Sequence, residues 1–130
     1  MIQITRKNSS KKLGIIFLNF FREHLHSTIS AANKSGWTPI MYACSKGHHV
    51  LVYHLIHLKA SRKCKSKSGE TPLMLAISSG DYSTVETIFD KTDLEEKDNK
   101  QWTPLFYAVS FNRQTCLELL LKNGANANLM

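Results

Sequence analysis

The side chains that could do chemistry in this chain are histidines, cysteines and a run of lysines and arginines. Four of the six histidines lie between positions 48 and 57, and His54 and His57 stand three residues apart, which places them on one side of a helix. A metal site would need further ligands, yet no cysteine has ligand spacing to these histidines and no Asp or Glu lies near them. The sequence therefore predicts no metal and no cofactor.

The three cysteines, Cys44, Cys64 and Cys116, form no C-x-x-C pair and leave an odd one over. This argues against a disulfide framework and for a reducing compartment. We expect Cys44 to be buried and unreactive. Because the sequence has no Gly-x-Ser-x-Gly and no phosphate-binding glycine loop, we also expect no enzyme activity. The chain is predicted to be intracellular, in the cytoplasm, with the nucleus or the mitochondrial surface as alternatives.

Basic side chains are concentrated in the first half of the chain. Residues 1–67 contain twelve Lys or Arg and one acid, whereas residues 68–130 contain five bases and nine acids. Such a run is usually just solvated, but it could also meet an acidic protein or the phosphates of RNA or DNA. The acidic stretch at 90–98 argues against a continuous nucleic-acid track. The sharpest run, which we call the basic patch, is Lys59, Arg62, Lys63, Lys65 and Lys67.

Three similar copies of a hexapeptide indicate the helices that must position these side chains. The copies Thr38–Ala43, Thr71–Ala76 and Thr103–Ala108 are 33 and 32 residues apart. Threonine can accept hydrogen bonds from the first turn of a helix and proline fits the first helical position, so each copy begins a helix. A residue suited to positive φ then ends each one. These residues are Gly47, Gly80 and Asn112.

A second helix follows each of these, with apolar side chains at helical spacing. Helices of about ten residues are too short to persist alone, so they must bury these side chains against neighbouring copies. The predicted helices are Pro39–Lys46, His49–Leu58, Pro72–Ser79, Ser83–Asp90, Pro104–Phe111 and Gln114–Lys122. The side chains expected to face inward are Leu51, Val52, Leu55, Ile56, Leu58, Val85, Ile88, Phe89, Leu117, Leu120 and Leu121.

The repeats divide the chain into five segments. We predict a disordered basic arm at 1–12, a partial leading repeat helix at 13–32, and repeats at 33–66, 67–98 and 99–130. The apolar run at 13–21 is too short to cross a bilayer, which needs about 20 residues. It also fits a secretory signal peptide, a mitochondrial presequence or membrane-surface contact. No polar capping repeat follows the last helix, so we expect a fragment of a longer protein, with end-to-end self-association or marginal stability as alternatives.

On these residues the chain resembles the ankyrin repeat family. Its pattern of Gly-x-Thr-Pro-Leu-His-x-Ala, then Gly-His, then a Leu-Leu pair recurs between about residues 33 and 128, but Met41, Met74 and Phe106 replace the family histidine. Gln101 replaces a turn glycine. The resemblance implies an all-α solenoid of helix-turn-helix units joined by hairpin-like turns, with three repeats and a leading half. The octet Gly36–Ala43 is also similar to germ-cell proteins that combine ankyrin repeats, a SAM domain and a leucine zipper in piRNA production.

The resemblance further implies a non-catalytic scaffold that binds another protein, of open identity, on a concave strip of turn tips and first helices. Aromatic side chains dominate binding hot spots, so Trp37 and Trp102, at equivalent positions, are expected anchors unless each packs on its own turn. The alternative function is an adaptor that binds RNA or DNA through the basic N-terminal half. The candidate partner-binding residues are Lys34, Trp37, Tyr42, Lys46, Lys67, Glu70, Leu75, Lys100, Trp102, Tyr107 and Phe111.

Overall fold

A computed structural model describes residues 29–127, which form three successive pairs of α-helices. The first helices of the pairs pack side by side in chain order, and so do the second helices. This confirms the predicted all-α repeat solenoid. The pairs are α1 (Pro39–Ser45) with α2 (His49–His57), α3 (Pro72–Ser79) with α4 (Tyr82–Ile88), and α5 (Pro104–Ser110) with α6 (Gln114–Lys122), and a short 3₁₀ turn, Lys91–Asp93, follows α4.

The predicted segment and helix boundaries can be compared with the structure only where it describes the chain. The predicted basic arm at 1–12, and most of the leading half repeat at 13–32, lie outside the described residues. Predicted and observed bounds agree for α3 and α6, and they differ by one or two residues at the ends of the other helices. None of the helices described here has the length and apolar character that crossing a bilayer requires.

The Thr-Pro pairs begin the first helices as predicted. In all three copies the threonine is extended and the proline occupies the first turn. Thr71 and Thr103 accept hydrogen bonds from the backbone N–H groups of Met74 and Phe106, at 3.2 and 3.3 Å. Thr38 makes no such bond, and its Oγ1 lies 3.5 Å from the Cys64 sulfur. Two of the three first helices therefore have a side-chain cap.

The residues predicted to end the first helices do so with positive φ. The angle is 71° at Gly47, 83° at Gly80 and 57° at Asn112. Gly80 also makes room for the next repeat, since an added Cβ would lie 2.8 Å from the guanidinium carbon of Arg113. That guanidinium donates to the carbonyls of Ile77 and Ser78, at 3.2 and 2.8 Å. Arg113 thus supplies a donor to the Ser78 carbonyl at the end of α3 and a second donor to the Ile77 carbonyl, which also accepts from the Gly80 N–H.

The core lies between the two layers of helices and continues from repeat to repeat. Val52 and Leu55 are buried as predicted, but Leu51 and Leu121 are 44% and 45% exposed, so their predicted inward orientation is wrong. Each is one residue from a buried neighbour, and one residue rotates a helix by about 100°. Cys44 is fully buried as expected, and this burial raises the pKa of its thiol to about 12.

Gln101 should be replaceable by glycine with a gain in stability. Its φ is 69°, while the equivalent residues of the other two turns are glycines at 80° and 84°. Relief of a left-handed non-glycine residue, less the backbone entropy that glycine loses, should stabilise Gln101→Gly by about 0.5–1 kcal/mol. Urea unfolding followed by circular dichroism measures this. Asn112→Gly is the control and should gain less, because asparagine tolerates this conformation; an unchanged or lower midpoint for Gln101→Gly would contradict the prediction.

Candidate binding surface

Three hairpin-like tips, at 33–37, 66–70 and 98–102, precede the three first helices. In each tip the backbone N–H of the first residue donates to the carbonyl of the fifth, at 2.9–3.0 Å. The side chain of the first residue also accepts two backbone N–H bonds within the tip. Asparagine and serine therefore close the first two tips with the same bonds that aspartate makes in the third. These closing residues are Asn33, Ser66 and Asp98.

Neighbouring tips are joined through their main chains. The N–H of Lys67 donates to the carbonyl of Ser35 at 3.0 Å, and the N–H of Asn99 donates to the carbonyl of Ser68 at 2.9 Å. This approach leaves no space for a side chain at the glycine of a tip. A Cβ on Gly69 would lie 2.7 Å from the Asn99 nitrogen. The tips thus form one continuous edge, whose geometry depends on glycine.

Each tryptophan packs on its own repeat. Trp37 meets the Tyr42 ring edge-on, with centroids 4.9 Å apart, and Trp102 packs on Phe106 at 4.5 Å. Both tryptophans are half-buried, while Tyr42 remains 46% exposed. The structure thus shows the self-packing that the sequence left open as an alternative, with Tyr42 as the more exposed ring of the first pair.

Two of the predicted strip residues are not exposed, and that part of the prediction is wrong. Leu75 is 4% exposed, since α3 has a neighbouring helix on each side, and Tyr107 is 6% exposed. The Tyr107 hydroxyl donates to the buried Asp98 carboxylate at 2.6 Å. Burial is the main cause that raises the pKa of Tyr107 far above its usual value, and the hydrogen bond to Asp98 raises it further. The Tyr107 ring stacks on the ring of Phe111, with 9° between the two ring planes. Phe111 is 43% exposed.

The polar members of the predicted strip are four lysines and Glu70. The lysines are exposed and take part in no ion pair within residues 29–127. They are Lys34, Lys46, Lys67 and Lys100. Glu70, between them, accepts a hydrogen bond from Ser66 at 3.0 Å. An open hollow of about 320 Å³ lies between the second and third tips. We call the exposed and half-buried side chains here the tip surface: Lys34, Trp37, Tyr42, Lys46, Lys67, Glu70, Lys100, Trp102 and Phe111.

The basic patch faces acidic side chains of the following repeat. Lys63 lies 2.7 Å from Asp93, and Lys65 lies 2.7 Å from Glu96. The hydrogen bond to Asp93 is the main cause that raises the pKa of Lys63. The sequence showed both charge runs but not their pairing, although the 30-residue and 31-residue offsets, close to one repeat, were a signal for it. Two of the lysines that would have to contact nucleic-acid phosphates, Lys63 and Lys65, are therefore already paired with carboxylates of the protein.

The described histidines belong to neither the tip surface nor the basic patch. His57 packs against Tyr53 on α2, with ring centroids 4.2 Å apart, and His49 contacts Asp81 at 3.4 Å. Within the described part of the chain, no three His, Cys, Asp or Glu side chains are placed to hold a metal ion.

The comparison with family models agrees with the three helix pairs. The model for ankyrin repeats in three copies matches residues 15–98 and, in a second match, residues 51–130. A comparison with curated proteins found no match, so the similarity to germ-cell proteins gains no support. Ankyrin repeats are generally non-catalytic modules of protein–protein interaction. From its family match and its stacked helix pairs, this chain belongs to the ankyrin repeat family.

Proposed function

We propose that this chain is a non-catalytic scaffold or adaptor that binds a partner protein on the tip surface. The observation that carries the proposal is the placement of two exposed aromatic rings, Tyr42 on α1 and Phe111 just after α5, on either side of α3. Aromatic side chains of this kind contribute much of the energy at protein interfaces. The same surface presents exposed lysines around them.

Both rings are held in place before any partner arrives. Trp37 packs against Tyr42, whose hydroxyl also accepts a hydrogen bond from the Asn33 side chain at 2.6 Å. Phe111 stacks on the buried ring of Tyr107. Binding therefore requires little ordering of either ring, and less of the contact energy is lost to entropy.

The alternative function, an RNA or DNA adaptor, has weaker support. Lys63 and Lys65 of the basic patch are paired with carboxylates of the next repeat. Phosphates bound there would have to displace these pairs and would approach the remaining acids of that repeat. The nucleic-acid mode is therefore the second hypothesis.

Alanine at Tyr42 and Phe111 should remove partner binding. The chain is immobilised, and the proteins that it retains from a nuclease-treated lysate of its own cell type are quantified. The double variant Tyr42→Ala/Phe111→Ala should retain its partners roughly tenfold more weakly, as expected when hot-spot rings are truncated. The matched control is Leu51→Ala/Tyr53→Ala on α2, whose side chains are 44% and 50% exposed.

The control separates a binding surface from general stickiness. We expect Leu51→Ala/Tyr53→Ala to retain the same proteins as the unmodified chain. Equal losses from both double variants, or no loss from Tyr42→Ala/Phe111→Ala, would contradict the proposal. Circular dichroism of each variant verifies that it remains folded. Proteins lost on nuclease treatment alone would indicate the nucleic-acid alternative.

A further inference from the structure

We infer that the tip surface binds an extended acidic segment of a partner protein, with carboxylates about three residues apart along it. This inference rests on the proposed function and adds the chemistry of the partner to it. It depends on the free charge of the tips, on their spacing and on the orientation of the aromatic rings.

The tip surface carries four lysines that form no ion pair within the described residues. Each tip has one exposed lysine, namely Lys34, Lys67 and Lys100, and Lys46 lies at the end of α1. None of them is in an ion pair within residues 29–127, and Lys100 lies over the Trp102 ring at 5.5 Å. The nearby carboxylates are already hydrogen-bonded within the second and third tips. A partner with acidic side chains is therefore complementary.

The spacing of the tips sets the spacing of the acids. The first helices that follow successive tips pack side by side, and packed helices lie about 8–10 Å apart, so successive tips lie about 10 Å apart. An extended chain advances about 3.3 Å per residue, so it passes one tip in about three residues. An acid at every third position would then meet one lysine on each tip.

The aromatic rings favour a peptide over a nucleic-acid strand. Stacking of bases needs an open ring face. Trp37 and Trp102 instead pack against Tyr42 and Phe106 and are half-buried. Apolar side chains near the two ends of the acidic segment would contact Tyr42 and Phe111.

The probe is a fluorescein-labelled peptide of about twelve residues, long enough to cross three tips when extended, with Glu at every third position and Leu near each end. The matched probe has Gln in place of every Glu. Fluorescence anisotropy measures the affinity of both peptides, and of a single-stranded RNA of similar length, at several salt concentrations. We expect the Glu peptide to bind most tightly, with an affinity that falls as salt increases.

The lysines are tested with two triple variants that change the net charge equally. Lys34→Gln/Lys67→Gln/Lys100→Gln should weaken the Glu peptide roughly tenfold, the effect of three modest exposed ion pairs. Lys59→Gln/Lys91→Gln/Lys122→Gln alters three exposed lysines outside the tips and should leave the affinity near that of the unmodified chain. The three tip side chains make no ion pair in the described chain, so their replacement should leave folding intact.

Several outcomes would overturn the inference. They are no binding of the Glu peptide, equal binding of the Gln peptide, equal losses from both triple variants, and tighter binding of the RNA through the same lysines. The proposed function is judged separately, by the partners that Tyr42→Ala/Phe111→Ala loses. If that variant loses its partners while the tip-lysine variant keeps them, the acidic segment is wrong and the protein-binding function stands.

Discussion

Replacing Gly69 with alanine is expected to destabilise the protein by about 3 kcal/mol. Gly69 has a φ of 84°, which costs a residue with a Cβ about 1–2 kcal/mol. The added Cβ would also lie 2.7 Å from both the backbone nitrogen and the side-chain oxygen of Asn99. The contact can relax only if the second and third tips move apart, which lengthens the hydrogen bond from Asn99 to Ser68.

Gly124→Ala is the matched control for this substitution. Gly124 has a φ of 96°, yet nothing lies within 4 Å of the position that a Cβ would occupy. Its replacement should cost only the conformational part, about 1–2 kcal/mol. Urea unfolding followed at 222 nm gives both free energies. If the two variants were destabilised equally, the close approach of the tips would contribute nothing measurable to stability.

Replacing Lys63 with methionine should destabilise the protein by about 2 kcal/mol. The Asp93 side chain is only 4% exposed, and Lys63 lies 2.7 Å from its Oδ1 atom. Methionine keeps most of the length of lysine but removes its charge, so a buried carboxylate would lose the cation that compensates for its desolvation. Such an uncompensated group costs more than the net contribution of the pair.

Lys65→Met tests whether burial, and not charge alone, causes this loss. Lys65 and Glu96 are the same distance apart, but both side chains are 41% exposed. An exposed pair contributes at most about 1 kcal/mol, so this variant should be nearly as stable as the unmodified chain, most clearly at high salt. Comparable losses from Lys63→Met and Lys65→Met would show that the burial of Asp93 has no special effect.

The same pair gives a pH dependence of known sign. The pKa of Lys63 in the folded state is raised above 10.5, first by its hydrogen bond to Asp93. A raised pKa means that the folded state binds the proton more tightly, so this contribution is fully present below pH 10.5 and is lost as the pH rises through the higher value. The difference in unfolding free energy between the unmodified chain and Lys63→Met should therefore shrink in strongly alkaline solution.

The repeat order and the helix starts could be predicted from the sequence because they depend on local chemistry. Threonine and proline act within the first turn of their own helix, and glycine or asparagine acts at a single φ angle. Exposure depends on neighbours that are distant in sequence. Tyr42, Leu75 and Tyr107 occupy the same position of the hexapeptide, yet they are 46%, 4% and 6% exposed. The pattern within one repeat could not distinguish them.

The basic patch shows the same limit for charge. Taken alone, its five bases indicate a solvated loop or a phosphate site. Their energetic role depends on the acidic residues of the next repeat, which are 30 and 31 positions further along the chain at Asp93 and Glu96. A comparison of charges at the repeat period would have found the pairing. The burial of Asp93, which makes one pair more important than the other, could be seen only in the folded chain.

The main-chain bonds between tips, from Lys67 to Ser35 and from Asn99 to Ser68, also determine how this protein can change. Peptide groups make these bonds, and the Asn99 side chain adds one more by donating to the Lys67 carbonyl at 2.7 Å, so the lysine side chains take no part in the joint. The tip glycines and the closing residues are constrained instead. New specificities could therefore be selected from libraries randomised at Lys34, Lys67 and Lys100 on an otherwise constant framework. The architecture separates the residues that evolution must keep from those that it can exchange.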